Sequence, residues 1–272
     1  KNVMNQLIIS QIIKDEKIEA TDEEVDAKVA EQAASVSKET EEYKKGMDEY
    51  TELEEYVTVE ETAETETVQE EEPEEVKEYQ IPLKVDVRYE VLESINDDFV
   101  SWIYYEPLEI SYPVVRGNDN DYYTEVTFEG TENTSGAIFM DFLNKPDYSN
   151  YNTIIYGHNM RNGTMFGSLK KLLSDEEIVK SDPYFYIFTE DKSFMYEIFA
   201  VYITGAGSQT YDLVIDEEGQ KEYLEYIDKT ATYRSEKEVA ASDRVVTLST
   251  CYGLHSKNRT VVHGVLIAEE ER

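Results

Sequence analysis

Outside its many acidic and hydroxyl side chains, the chain has few groups for nucleophilic or acid–base work near neutral pH: one cysteine, Cys251, and three histidines, His158, His255 and His263. Cys251 closes the segment RVVTLSTC, where an apolar run from Val245 to Leu248 leads into Ser249, Thr250 and the thiol, with Tyr252-Gly253 after it. A strand end is where a barrel presents side chains to a groove, which makes Cys251 a candidate nucleophile; a buried small side chain is the other reading. His158 closes NTIIYGHN in the same way, with Gly157 giving the backbone freedom and Asn159 opening a polar loop. Alone it reads better as a surface histidine. Taken with Cys251 it makes a thiol–imidazole pair, in which His158 takes or shares the thiol proton and later protonates a leaving amine.

Arg259 opens the next strand pattern, RTVVHGVLI, eight residues after Cys251, within reach of a folded-back loop. A positive charge there favours thiolate and offers donors to the oxyanion of a tetrahedral intermediate; an ordinary surface arginine is the alternative. His263 lies inside that strand, where satisfied packing is the better reading. His255 sits in the intervening loop as a rival base without evident geometry. One cysteine excludes an internal disulfide and a multi-cysteine zinc site, and the histidines have no regular zinc spacing. The acidic loop NDND (Asn118 to Asp121) lacks the pattern of a dedicated calcium loop. Phosphate-cradling glycine motifs are absent, so the sequence implies no cofactor.

The elements that must hold these groups follow from composition. The 272 residues carry 25 basic and 60 acidic side chains, a net charge of −35, which argues against nucleic acid and anionic lipid as partners. The charge is densest in residues 1–80, with 8 basic against 26 acidic side chains, and 28 of the 32 aromatic residues follow Gln80. Only the second part can bury a large core. Residues 5–17 and 22–34 have apolar residues at helical spacing, and Thr21 to Glu24 reads as a capping box. Residues 58–78 collapse to Glu, Thr and Val with Pro73, an extended, self-repelling linker. The division is therefore an acidic helical arm over 1–57, a Glu-rich linker over 58–80 and a β-rich domain over 81–272. No run of roughly 18 to 20 apolar residues is present to span a bilayer.

In the β-rich domain a helix is expected at Arg88 to Ile95, then strands at Val100 to Tyr105 and Leu108 to Val115 around a turn at Glu106-Pro107. Further strands are expected at Gly136 to Phe142, Asn152 to Tyr156, Tyr184 to Phe188, Phe194 to Ile203, Arg244 to Ser249 and Thr260 to Ile267. Helices are expected at Thr164 to Leu173 and Glu217 to Ala231, the latter with Tyr223, Tyr226 and Ile227 on one side. Eight short strands with helices in long connections imply a mainly β fold, a closed barrel.

YGHNM at Tyr156, TLSTC at Thr247 and RTVVHGVL at Arg259, in the order His, Cys, Arg, resemble the three signatures of the sortases. The likeness spans about Arg88 to Ala268, including INDDFVSWIYYEPLEISYPVV (95–115), DNDYY (119–123) and SGAIFMDF (135–142). MFGSLKKLL after the histidine and the helix before the cysteine strand resemble class B. Residues 1–56, with NQLIISQIIKDEKIEATDEEVDAKVAEQA, resemble the C-terminal arm of the trigger-factor chaperones, either a polypeptide-binding segment or a fused piece.

The resemblance implies a sortase-type barrel and a cysteine transpeptidase, with Cys251 as nucleophile, His158 as general acid/base and Arg259 stabilising the oxyanion. Ser249, Thr250 and Tyr156 would line the peptide groove. It implies cleavage of an Asn-Pro-x-Thr type sorting signal after Thr, a thioester intermediate, and transfer to an amine of a cell-wall precursor, at the outer face of a Gram-positive membrane. A membrane anchor is expected ahead of such a domain, where the acidic arm stands here. The rival functions are a peptidase of the same fold that only hydrolyses and a non-enzymatic polypeptide-binding protein.

Overall fold

Alternating β-branched and aromatic residues build eleven strands among the described residues. The computed structural model describes residues 41, 44–61, 80–212, 216–252 and 256–272. The chain divides into two units, Lys1–Asp48 and Glu49–Arg272. Of the first, residues 41 and 44–48 are described, all helical; the helices expected at 5–17 and 22–34 lie outside the described residues, as do 62–79 of the expected linker and His255.

In the second unit the strands are β1 (Val57–Glu61), β2 (Leu83–Val87), β3 (Phe99–Tyr105), β4 (Ile110–Val115), β5 (Ile138–Met140), β6 (Asn152–Tyr156), β7 (Tyr184–Phe188), β8 (Lys192–Gly205), β9 (Tyr233–Arg234), β10 (Val245–Cys251) and β11 (Asn258–Glu271). The helices are α1 (Tyr89–Ile95), α2 (Lys171–Ser174), α3 (Glu177–Ser181) and α4 (Glu217–Thr230). β11, β10, β6, β5, β4, β3, β7 and β8 pair in that order, and β8 pairs again with β11, closing an eight-stranded barrel. β4 with β5 and β6 with β10 are parallel; the other barrel pairs are antiparallel.

The parallel β6–β10 pair brings two distant strand ends together, because Asn152 aligns with Val245 and Tyr156 with Ser249. The chain therefore leaves β6 at His158 beside where β10 delivers Cys251. On the other flank of β10, Cys251 is register partner of Arg259. The interior is apolar and aromatic: Trp102, Ile103, Ile138, Ile155, Phe185, Ile198 and Leu248 are buried to within 1%. The α4 helix starts at Asp216, whose carboxylate accepts from the Gly219 N–H (2.9 Å). It buries Tyr223 and Ile227 against Phe199, Tyr202, Val245 and Val261.

Three departures from the sequence reading have local causes. The barrel unit extends further towards the N-terminus than 81. Residues 49–53 end a helix whose Tyr50 and Leu53 are buried, Tyr50 donating to the Gly136 carbonyl (2.7 Å) while the Glu49 carboxylate accepts from Thr127 Oγ1 and the Glu129 N–H (both 2.8 Å). The segment expected to be linker begins as β1, which pairs with β2 through Val57↔Val87, Val59↔Val85 and Glu61↔Leu83; Val85 and Val87 give it an apolar face despite its glutamates. Residues 164–173 are not one helix. Met165 has φ 53, its N–H donates to the Tyr112 hydroxyl (3.0 Å), and only α2 at the end is α-helical. The three-residue spacing of Phe166, Leu169 and Leu172 there comes from successive turns whose apolar residues are buried.

Candidate active site

The ends of β6 and β10, the loop before β5 and the start of β11 enclose a cleft of about 300 Å³. Asn120, Asp121, Thr124, Phe139, Tyr156, Gly157, His158, Ala206, Ser249, Thr250, Cys251 and Arg259 line it. Every site residue singled out in the sequence is among them, so the barrel gathers groups up to 103 positions apart in the chain. The Cys251 thiol is free and half-buried.

His158 is held from one side. Its Nε2 lies 2.7 Å from the Thr124 carbonyl oxygen, and since a carbonyl only accepts, Nε2 carries the proton and donates. Nδ1 is left as the nitrogen that can take or give a proton. Thr124 is placed by the NDND loop, where Asp119 Oδ1 accepts from the N–H groups of Asp121 and Tyr122 (2.9 and 2.8 Å) to shape the following turn. The Tyr122 and Asp121 amides hold the Asp119 carboxyl below its usual range. The loop read in sequence as an acidic stretch is thus one wall of the cleft.

Gly157 has another reason for being glycine than backbone freedom. Its φ is not positive, and a Cβ there would lie 2.4 Å from Ile138 Cδ1 and 2.8 Å from Phe166 Cγ. The chain can deliver His158 only because Ile138 and the buried Phe166 ring sit against a bare backbone, and the Gly157 N–H continues the ladder to the Ser249 carbonyl (3.1 Å).

Arg259 donates Nη1 to the carbonyls of Ser256 (3.0 Å) and Asn258 (3.3 Å), which fixes the guanidinium on its own loop. Among the described residues no carboxylate pairs with it, so its charge is available to an anion forming in the cleft. That charge is felt at Tyr156 in the wall and at Tyr211, whose ring stacks on it. Tyr156 is pushed well above the ordinary phenol range by burial first and then by Asp141, with Arg259 opposing. Tyr211 is also raised by burial, opposed by its bond to Ser249 and by Arg259.

Tyr211, Asp141 and Asn120 were not legible as site residues. The Tyr211 and Ser249 hydroxyls are 2.8 Å apart, and its ring stacks on Tyr156 at 6.3 Å. The buried Asp141 carboxylate accepts from the Tyr156 hydroxyl (2.9 Å) and from Asn120 Nδ2 (2.8 Å). Their partners are all distant in sequence, so no spacing announces them. Thr250 lines the cleft with its Oγ1 buried and without a hydrogen-bond partner. His263 is no rival base: it is fully buried, Nδ1 2.9 Å from Thr247 Oγ1 and Nε2 2.8 Å from the Tyr202 hydroxyl. Burial pulls its pKa down to about 3.

This chemistry has relatives. Residues 103–267 match the sortase domain, and residues 1–71 match the C-terminus of bacterial trigger factor. The chain belongs to the sortase family, whose members are cysteine transpeptidases. Class B is its place there: sortase B of Listeria monocytogenes is 34% identical over 181 residues, 65% of this chain and 73% of that protein. The crystal structure of sortase B from Bacillus anthracis in complex with AAEK1 is 32% identical with a TM-score of 0.66, covering 84% of this chain and 99% of that one. A Staphylococcus aureus sortase B–substrate complex is 30% identical, TM-score 0.62, over 66% of this chain and 84% of that one. No helix among the described residues is long and apolar enough to cross a membrane.

Proposed function

We propose that this enzyme cleaves an Asn-Pro-x-Thr type sorting signal after the threonine and transfers the acyl part to an amine of a cell-wall precursor, at the outer face of a Gram-positive envelope. The observation that carries the reading is the convergence of Cys251, His158 and Arg259 on one cleft, from two parallel strand ends and a hairpin partner. The family's place at the cell envelope supports the location.

Cys251 Sγ, its proton passed to His158 Nδ1, attacks the threonine carbonyl carbon. The oxyanion that forms is stabilised by the Arg259 guanidinium. The C–N bond then breaks, His158 gives the proton to the departing amine, and the acyl group stays on sulfur as a thioester. An acceptor amine attacks that thioester carbonyl, His158 takes a proton from it, and collapse of the second tetrahedral intermediate restores the thiol and leaves a new amide. Bond for bond one amide replaces another, so no external energy source is needed. Tyr156, Ser249 and Thr250 line the groove for the peptide.

The test is product analysis by chromatography after incubation with an Asn-Pro-Gln-Thr peptide, with and without a glycine-based amine. The expected result is an amide that grows with amine concentration at the expense of free acid, and neither product from Cys251→Ala. Free acid alone, indifferent to added amine, would make the enzyme a hydrolase.

A further inference from the structure

Beyond the last ladder bond at Gly157, the loop carrying the base and the strand end carrying the nucleophile are joined, among the described residues, by one side chain. Asn159 Nδ2 donates to the Cys251 carbonyl at 2.7 Å, with the Tyr252 carbonyl at 3.4 Å. Its Oδ1 accepts from Lys170 Nζ at 3.2 Å. An ammonium only donates and a carbonyl only accepts, so the amide can sit only one way round. From these contacts we infer that Asn159 is a positioning residue: it fixes the separation of His158 from Cys251 by tying the residue after the base to the nucleophile's own peptide group. The inference rests on the assignment of Cys251 and His158 as the working pair.

The rest of the loop is braced for this. The Phe166 N–H donates to the His158 carbonyl (3.0 Å), Asn159 forms an isolated bridge with Met165, and Gly167 lies against Met160 so closely that a Cβ would come within 2.5 Å of its carbonyl oxygen. These contacts make the loop rigid within itself. They do not reach β10. A rigid loop held at its foot by β6 and at its outer edge by Asn159 has no hinge left through which His158 can swing away from the thiol, and misplacement on the scale of 1 Å is costly to such chemistry.

The experiment compares the full chain with Asn159→Ala and with Asn159→Asp, which keeps the size but faces the Cys251 carbonyl with an oxygen. Peptide-cleavage kinetics and the pH dependence of Cys251 alkylation by iodoacetamide are measured, with circular dichroism and thermal unfolding to confirm the fold. We expect kcat to fall at least about tenfold with KM within threefold, and the alkylation profile to move towards that of His158→Ala. In the His158→Ala background, removing Asn159 should change the alkylation profile no further, because its effect passes through the pair. A purely structural residue would instead add its effect in that background and would leave the profile's midpoint in place, and that outcome overturns the proposal. So does a kcat within threefold of wild type in either folded variant. Should Asn159→Ala not fold, Asn159→Asp and the release of the amide by Lys170→Met, with a smaller kcat loss and the same direction of profile shift, carry the decision; an unmoved profile in both counts against it. Cleavage that survives Cys251→Ala would instead sink the assignment of the pair itself.

Discussion

Strands β6 and β10 frame two polar regions, one buried at the start of β6 and the middle of β10 and one at the strand exits, and the two are built on opposite rules. Mid-strand, Thr247 donates to Asn152 Oδ1 (2.7 Å) and faces His263, which meets Tyr202, which meets Thr210. Asn152 in turn donates to the Tyr223 hydroxyl (2.8 Å). Every member is buried and every one has a partner. At the exits, Cys251, His158 and Arg259 are only partly buried, and all three line the cleft. A satisfied network fixes strand register and can exchange nothing; an unfinished one can complete itself on a substrate.

The comparison can be broken at either region. The largest effect is expected at the exit. Arg259→Ala should lower kcat/KM about 10²- to 10³-fold, roughly 3 to 4 kcal/mol of transition-state stabilisation, with Tm nearly unchanged; Arg259→Lys, a point charge without the planar fork, should recover only part. An equal loss of Tm and activity would mean that Arg259 belongs to the structural set.

Mid-strand, the next effect is a pH dependence of stability. His263 has a folded pKa of about 3 against an ordinary 6.5, so below 6.5 the unfolded chain takes up a proton that the folded chain refuses. Its share of stability is therefore complete above pH 6.5 and is lost as pH falls towards 3, at about 1.4 kcal/mol per pH unit. Denaturant titrations should show a shallower slope between pH 6.5 and 4 for His263→Gln than for wild type. An identical slope would place a counter-charge or water beside the imidazole.

Thr247→Val keeps the shape but leaves His263 Nδ1 and Asn152 Oδ1 each short of a partner. It should cost about 1 to 3 kcal/mol of stability with little change in kcat for the folded fraction, the reverse of Arg259→Ala. Gly157→Ala stands between the regions: its Cβ must displace Ile138 and the Phe166 ring, at about 1 to 3 kcal/mol, and should lower kcat as well because His158 is the next residue. Stability lost without any activity change would show that the loop re-forms around the methyl.

Sequence patterning was most informative where a single strand decides the matter. Asn152–Tyr156 and Tyr184–Phe188 are read to the residue because β-branched and aromatic runs end there in polar or Gly punctuation. Cys251 and His158 stood out because both follow such runs. Pairing across the barrel was not legible: β1 hides in a Glu- and Thr-rich stretch whose valines matter only once β2 lies beside them. Asp141, Tyr211 and Asn159 work through partners 11 to 92 positions away, a relation that one sequence does not display. Gly157 was noticed for the wrong reason, since glycine gives the same letter whether it supplies a turn or a close contact.

The central claim is that Cys251 carries the acyl group. The most direct measurement is intact-protein mass after incubation with an Asn-Pro-Gln-Thr peptide in the absence of amine, quenched in acid, followed by peptide mapping. The account predicts a mass gain equal to the N-terminal peptide fragment, located on Cys251, discharged by hydroxylamine and absent from Cys251→Ala. An adduct on any other residue, or peptide cleavage without one in both proteins, would contradict it.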